Sequence, residues 1–160
     1  MASKNKIYVS FDADDLLYFN MLQAWCASET MEFVHYTSVL DESANPRIIE
    51  GIKEKIAKTS CVIVLVSDHT VSLGVRMKTE IEKSIELRRP IIVANLNGKR
   101  SIDNDLCPTA LKRQMALHIS FNAKIINRAI SSWPSYYEQN KDQRNGAFFF
   151  KPEVYKELGL

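Results

Sequence analysis

Apolar positions along the chain alternate between two spacings, short continuous runs and helical stripes. Ile7, Tyr8 and Val9 form a short apolar run that stops in the polar cluster Ser10, Phe11, Asp12, Asp14, Asp15. Leu16, Phe19, Leu22, Trp25 and Cys26 then recur at helical spacing over residues 16–27, and Asp14 or Asp15 suits that helix's N-cap. Residues 33–36 read as a short strand and Thr37–Asn45 as a polar loop. Pro46 fits a first helical turn, with Ile48, Ile49, Ile52 and Ile56 on one face behind it. Residues 61–66 are uniformly apolar, as a central parallel strand requires. A loop over 67–74, a helix over 75–89 with Met77, Ile81, Ile85 and Leu87 near one stripe, and a strand over 90–95 follow. The pattern next predicts a helix over 108–116, a short last strand at His118-Ile119 and a helix over 123–132.

Strands alternating with helices over short loops predict an α/β fold with helices on both faces of a parallel sheet. About five strands in a flavodoxin-like order are expected, spanning residues 1–132. Beyond Trp133-Pro134 the periodicity dissolves; residues 133–160 read as a C-terminal extension holding an isolated apolar knot, Phe148–Phe150. That extension either packs back over the domain or meets another chain. In open α/β sheets ligands bind at the carboxyl edge, where strand order reverses. The first strand thus delivers Ser10, Phe11 and Asp12 to a crevice. Its opposite wall is the third strand's tip, Ser67, Asp68 and His69, with the helix behind it.

Composition narrows the options. The 160 residues suit one domain, and a net charge of +2 with scattered basic residues gives no sign of nucleic acid. Arg88-Arg89, the nearest approach to a basic cluster, reads as a favourable partner for a helix dipole. Three widely separated cysteines, Cys26, Cys61 and Cys107, suggest small core residues in a reducing compartment. No signal peptide or long apolar run is present, so a cytoplasmic location without membrane contact is expected. His35, His69 and His118 lack metal-site spacing, and no metal or resident cofactor is expected. None of the five glycines builds a phosphate-cradling loop, so side chains and helix ends must hold any nucleotide. A phospho-receiver reading of Asp12, Asp14 and Asp15 fails: the fourth strand ends in Asn95 rather than Ser or Thr, and no Lys directly follows His118-Ile119.

On the third helix, Glu80 lies about 100° around from Ile81, at the border of the buried stripe. Arg76 sits one turn earlier on the same side. Glu80 can therefore point into the crevice. Spacing alone favours a surface glutamate paired with Arg76 or Lys83.

From Ile7 to Gly98 the chain resembles the TIR-like domains of bacterial antiphage systems, in particular the Thoeris ThsB type. The pieces are residues 8–15 (YVSFDADD), the isoleucine-rich helix 48–56, strand 62–66, residues 79–85 (TEIEKSI) and residues 89–98 (RPIIVANLNG). Weaker similarity runs to Trp133. The resemblance implies a TIR-type three-layer sandwich and a catalytic glutamate at Glu80. It places the family's Ser–Phe at Ser10-Phe11, and substrate contacts at Asp12, Ser67, His69 and Arg76 are expected around them. It implies NAD+ as substrate, cleaved to a cyclic ADP-ribose-type or ADP-ribose-conjugate signal. Self-association, an effector that senses the product and a phage-derived trigger are the implied partners. Two positions depart from the family: Arg76 stands where a tryptophan is common, and Asp12 where a histidine or tyrosine often follows Ser–Phe. The alternative is a non-catalytic TIR-like module that binds nucleotide or assembles with other proteins.

Overall fold

The computed structural model describes residues 4–36 and 45–160. The expected loop at Thr37–Asn45 thus lies outside the described residues, apart from Asn45. Six strands form one sheet: β1 (Asn5–Ser10), β2 (Met31–Val34), β3 (Cys61–Val66), β4 (Ile91–Asn95), β5 (Ala116–Ser120) and β6 (Ala147–Phe149). Their order is β2-β1-β3-β4-β5-β6, and every neighbouring pair is parallel. The helices are α1 (Leu16–Cys26), α2 (Pro46–Ala57), α3 (Val75–Glu86), α4 (Thr109–Lys112), α5 (Ala123–Asn140) and α6 (Pro152–Glu157). This is the expected flavodoxin-like architecture, with six strands rather than about five.

The layers follow from side-chain alternation along the strands. Ile7, Val9 and Phe11 point to one face, where they pack with Phe19, Leu22, Ile126 and Trp133 of α1 and α5. Tyr8, Val62 and Val64 point to the other face and meet Ile52, Ile56, Met77 and Ile81 of α2 and α3. Buried on both faces, β3 and β4 are apolar almost throughout. Local signals set the helix starts. Asn45 accepts from the Arg47 N–H with Pro46 in the first turn of α2, and Asn122 caps α5 by accepting from Lys124 and Ile125.

Several elements differ from the periodicity. β2 lies two residues earlier than expected, because Met31 and Glu32 pair with Asn5 and Lys6. α3 ends at Glu86, and Arg88 follows with φ 53°, a left-handed turn that stops the helix. The expected helix 108–116 is a single turn; Ala116 already belongs to β5 and pairs with Ile91. Trp25 and Leu16 stay about two-fifths exposed, and the Trp25 ring lies tilted on Phe121, 5.1 Å between centroids.

The largest correction concerns residues after 132. α5 continues through Pro134 to Asn140. An interior proline costs about 3 kcal/mol, offset here by burial of Trp133 and Tyr137, each worth about 1.5–3 kcal/mol. Phe148 is no isolated knot: it pairs with Leu117 across the β5–β6 ladder and packs on Trp133 at 5.4 Å. Three residues are too few to show alternation, so the sixth strand escaped the pattern. Tyr155 of α6 is buried and its hydroxyl accepts from the Ser120 N–H at 3.3 Å. The extension therefore packs on the sheet.

No helix among the described residues is long and apolar enough to cross a membrane. Cys26, Cys61 and Cys107 are free and buried; burial pushes the thiols of Cys61 and Cys107 up to about 12 and about 11.

His118 sits on β5 between β4 and β6, fully buried. Neither ring nitrogen has a hydrogen-bond partner among the described residues, and burial lowers its pKa to about 4. The folded protein holds a neutral ring that the unfolded chain protonates near pH 6.5. Its contribution is present in full above that pH and is lost as pH falls toward 4, by an amount on the order of 3 kcal/mol. Urea unfolding from pH 7.5 to 4.5 should show this acid limb in the wild type and a flatter one in His118→Leu.

Candidate active site

The alternation that builds the layers also builds the site. Tyr8 and Ser10 lie two residues apart on β1, so both project toward α3. Arg76 and Glu80 lie four apart on α3, so both project toward β1. On α3 the buried residues are Arg76, Met77, Glu80, Ile81 and Ser84. A charged pair thus occupies the apolar seam itself, with Glu80 at 0% exposure and Arg76 at 2%. Glu80 is deeper than the stripe border inferred from spacing.

Each carboxylate oxygen has a donor. The Tyr8 hydroxyl donates to Oε2. Oε1 accepts from Ser10 Oγ at 3.0 Å and from Arg76 Nη1 at 2.5 Å. Arg76 Nη2 reaches on to the Phe11 carbonyl at 2.5 Å, and its guanidinium stands 5.9 Å from the Phe11 ring. Ser84 Oγ donates to the Glu80 carbonyl at 2.7 Å, tightening that turn of α3. Burial, then the adjacent Glu80 charge, raises the Tyr8 pKa far above the usual phenol value, so Tyr8 remains a donor.

Phe11 contributes its carbonyl rather than an open ring face. The ring is fully buried, stacked on Phe19 at 5.0 Å and edge-on to His35 at 5.5 Å. Asp12 caps the 3-10 turn of residues 13–15, accepting from the Asp14 N–H at 2.9 Å.

Ser67 and His69 belong to a second cluster. Asp15, at 2% exposure, turns inward: Ser67 Oγ donates to its Oδ2 at 2.5 Å, and His69 Nδ1 lies 2.9 Å from its Oδ1. These contacts tie the tips of β1 and β3 together at the point of strand-order reversal. A cavity of about 290 Å³ opens there, lined by Asp14, Asp15, Tyr18, Ser67, His69 and Asn97 among others. Ser10, Arg76 and Glu80 do not line it. The expected substrate residues therefore divide into a buried group around Glu80 and an open group around Asp15.

Sequence reasoning missed Tyr8 and Asp15. Tyr8 was legible in principle, since it shares Ser10's face of β1. Asp15 carried no signal that separated it from a simple helix cap. Among the described residues no three His, Cys, Asp or Glu side chains converge to hold a metal ion.

Two outcomes test this geometry. Removing one partner of a buried ion pair typically costs about 3–5 kcal/mol, whereas replacing both with apolar groups is far milder. In urea melts Arg76→Met should therefore destabilise by that order, and Arg76→Met with Glu80→Leu by clearly less. At His69, the Asp15 hydrogen bond, then the Asp15 charge, raises the imidazole pKa above its usual value. The stabilisation from this contact is complete below about pH 6.5 and disappears as pH rises through the raised value. NMR titration should place the His69 midpoint above the ordinary histidine value in the wild type and return it there in Asp15→Asn.

The family model for the TIR-like domain of the Thoeris protein ThsB matches residues 8–101. No curated protein sequence matches the chain. The matched span includes the end of β1 with Tyr8 and Ser10, the Asp15 cluster, and all of α3 with Arg76 and Glu80. On that span, and on a six-stranded parallel sheet of TIR type, the chain belongs to the Thoeris ThsB TIR-like domain family.

Proposed function

We propose that this Thoeris TIR-like domain cleaves NAD+ with Glu80 as its catalytic carboxylate. The product is a cyclic ADP-ribose-type or ADP-ribose-conjugate signal, read by a separate effector after a phage-derived trigger. The observation that carries the reading is a fully desolvated carboxylate beneath the carboxyl end of β1, oriented by three donors. Family membership supplies the context.

The chemistry asks little of the protein. Nicotinamide is attached to ribose as a pyridinium, so when the C1′–N bond breaks the electron pair neutralises the leaving group and no general acid is needed. Positive charge develops on the ribose as an oxocarbenium ion, which a fixed carboxylate in a low-dielectric seam stabilises strongly. A ring nitrogen of adenine or of a second base then attacks C1′ to give a cyclic product or a conjugate; attack by water, which then loses a proton, gives ADP-ribose. In the resting arrangement Arg76 and Ser10 occupy Oε1 and Tyr8 occupies Oε2. Ribose hydroxyls reach Glu80 only when one of these donors yields. Arg76 has the longest side chain and is the group that must swing, so the Arg76–Glu80 pair acts as a latch on the site.

A second reading has two observations in its favour. Glu80 is inaccessible at rest, and an arginine stands where the family commonly has a tryptophan. Both suit a domain that binds or assembles without catalysis.

The deciding measurement is nicotinamide release from NAD+ in lysates of phage-infected cells expressing the protein, with products resolved by mass spectrometry. Glu80→Gln, checked for folding by thermal melting, should lower turnover by at least about 100-fold. Wild-type turnover in a folded Glu80→Gln protein removes the catalytic assignment; no NAD+ loss by the wild type after infection favours the binding module.

A further inference from the structure

At the end of the sheet opposite to Glu80, beside Ile91 at the start of β4 and Met115 just before β5, a cavity of about 260 Å³ gathers four cations. Arg88 and Arg89 come from the turn after α3, and Lys141 and Arg144 from the end of α5. No Asp or Glu is among the residues lining it. The chain as a whole is nearly balanced, with 21 basic and 19 acidic residues, so a four-cation concavity without a carboxylate is a strong local excess.

Helix dipoles explain part of the gathering. Arg89 Nη2 donates to the Ala57 carbonyl at the end of α2, 2.9 Å away, which is the dipole role its position suggests. That contact leaves Arg89 Nε buried without an acceptor among the described residues. Arg88 bonds Asp142 at 2.6 Å and Lys141 bonds Glu138 at 2.8 Å. In both pairs the carboxylate is more than half exposed, and such surface pairs are worth about 0–1 kcal/mol and exchange readily. Arg88 also adopts a left-handed backbone conformation unusual for a side-chain-bearing residue. The remaining polar lining adds the Gln114 and Asn145 amides and the Tyr137 hydroxyl, whose pKa burial raises so that it stays protonated.

We infer that this cavity at the amino edge of the sheet binds a diphosphate group, as a site separate from Glu80. Guanidinium forks match phosphate oxygens two at a time, and once Arg88 and Lys141 exchange their exposed carboxylate partners for the ligand, three arginines and a lysine face the diphosphate. The volume falls just under the ~300–1,000 Å³ of pockets that enclose drug-sized ligands. It takes the diphosphate and leaves any attached nucleoside outside.

The test uses the full chain at constant ionic strength, with inorganic pyrophosphate and ADP as separate probes followed by calorimetry and amide NMR. Both probes should bind, with shifts centred on Gln114, Tyr137 and Asn145 rather than on Ser10 and Glu80. Arg89→Gln should weaken both by about tenfold or more, the usual worth of a charged hydrogen bond. Arg144→Gln, at an exposed position, should do the same with an unchanged melting temperature, so a misfolded Arg89→Gln protein would not decide the matter. Lys99→Gln, at an exposed cation in the loop after β4 at the other edge of the sheet, should leave affinity unchanged. Shifts around Glu80, equal weakening by Lys99→Gln, binding of ADP without pyrophosphate, or no binding at millimolar pyrophosphate would each overturn the site. None of these readouts involves NAD+ cleavage, so the inference stands or falls independently of the catalytic proposal.

Discussion

Two opposite charges inside an apolar seam constrain everything around them. A parallel sheet must be covered on both faces, and α3 covers one face while carrying Arg76 and Glu80 in its buried stripe. Withdrawing both from water is costly, and their attraction repays it only when the remaining donors and acceptors are also met. Here β1 meets them, through the Tyr8 hydroxyl, Ser10 Oγ and the Phe11 carbonyl. A slip of β1 by one residue would turn Tyr8 and Ser10 to the opposite face and strand the pair. The register of β1 against α3 is thereby tied to the chemistry of the site.

Such a pair is a poor way to gain stability, since well-packed apolar residues do as well or better. At the carboxyl end of the sheet it holds a desolvated carboxylate in one orientation, the arrangement on which the catalytic proposal rests. The same reasoning separates Glu80 from Asp15. Asp15 is also buried, but its partners Ser67 and His69 line an open cavity and His69 is about half exposed. One carboxylate is locked away and the other ties two strand tips together at the surface, and both lie where the strand order reverses.

Strongly periodic elements were readable from the sequence. The uniform apolar run of β3 and the isoleucine stripe of α2 with Pro46 at its start follow from spacing and capping, whereas the depth of Glu80 on α3 does not. Elements decided by distant partners were not readable. β6 exists because Leu117 and His118 offer it a ladder, and α5 passes Pro134 because Trp133 finds Phe148. At the site, the pairing of Ser10 with Glu80 was accessible through the face each occupies. The burial of the Phe11 ring was not, because it depends on Phe19 and His35 closing over it.

The three cysteines carry a consequence of their own. One lies on α1, one on the central strand β3 and one just before α4. Thiolates are the reactive species, and with its thiol pushed to about 12 Cys61 presents only about one thiolate in 10⁵ at neutral pH. Oxidants and alkylating reagents therefore meet an unreactive molecule until a layer opens. Each thiol then becomes a local clock: its labelling rate reports how often that layer, rather than the whole chain, comes apart.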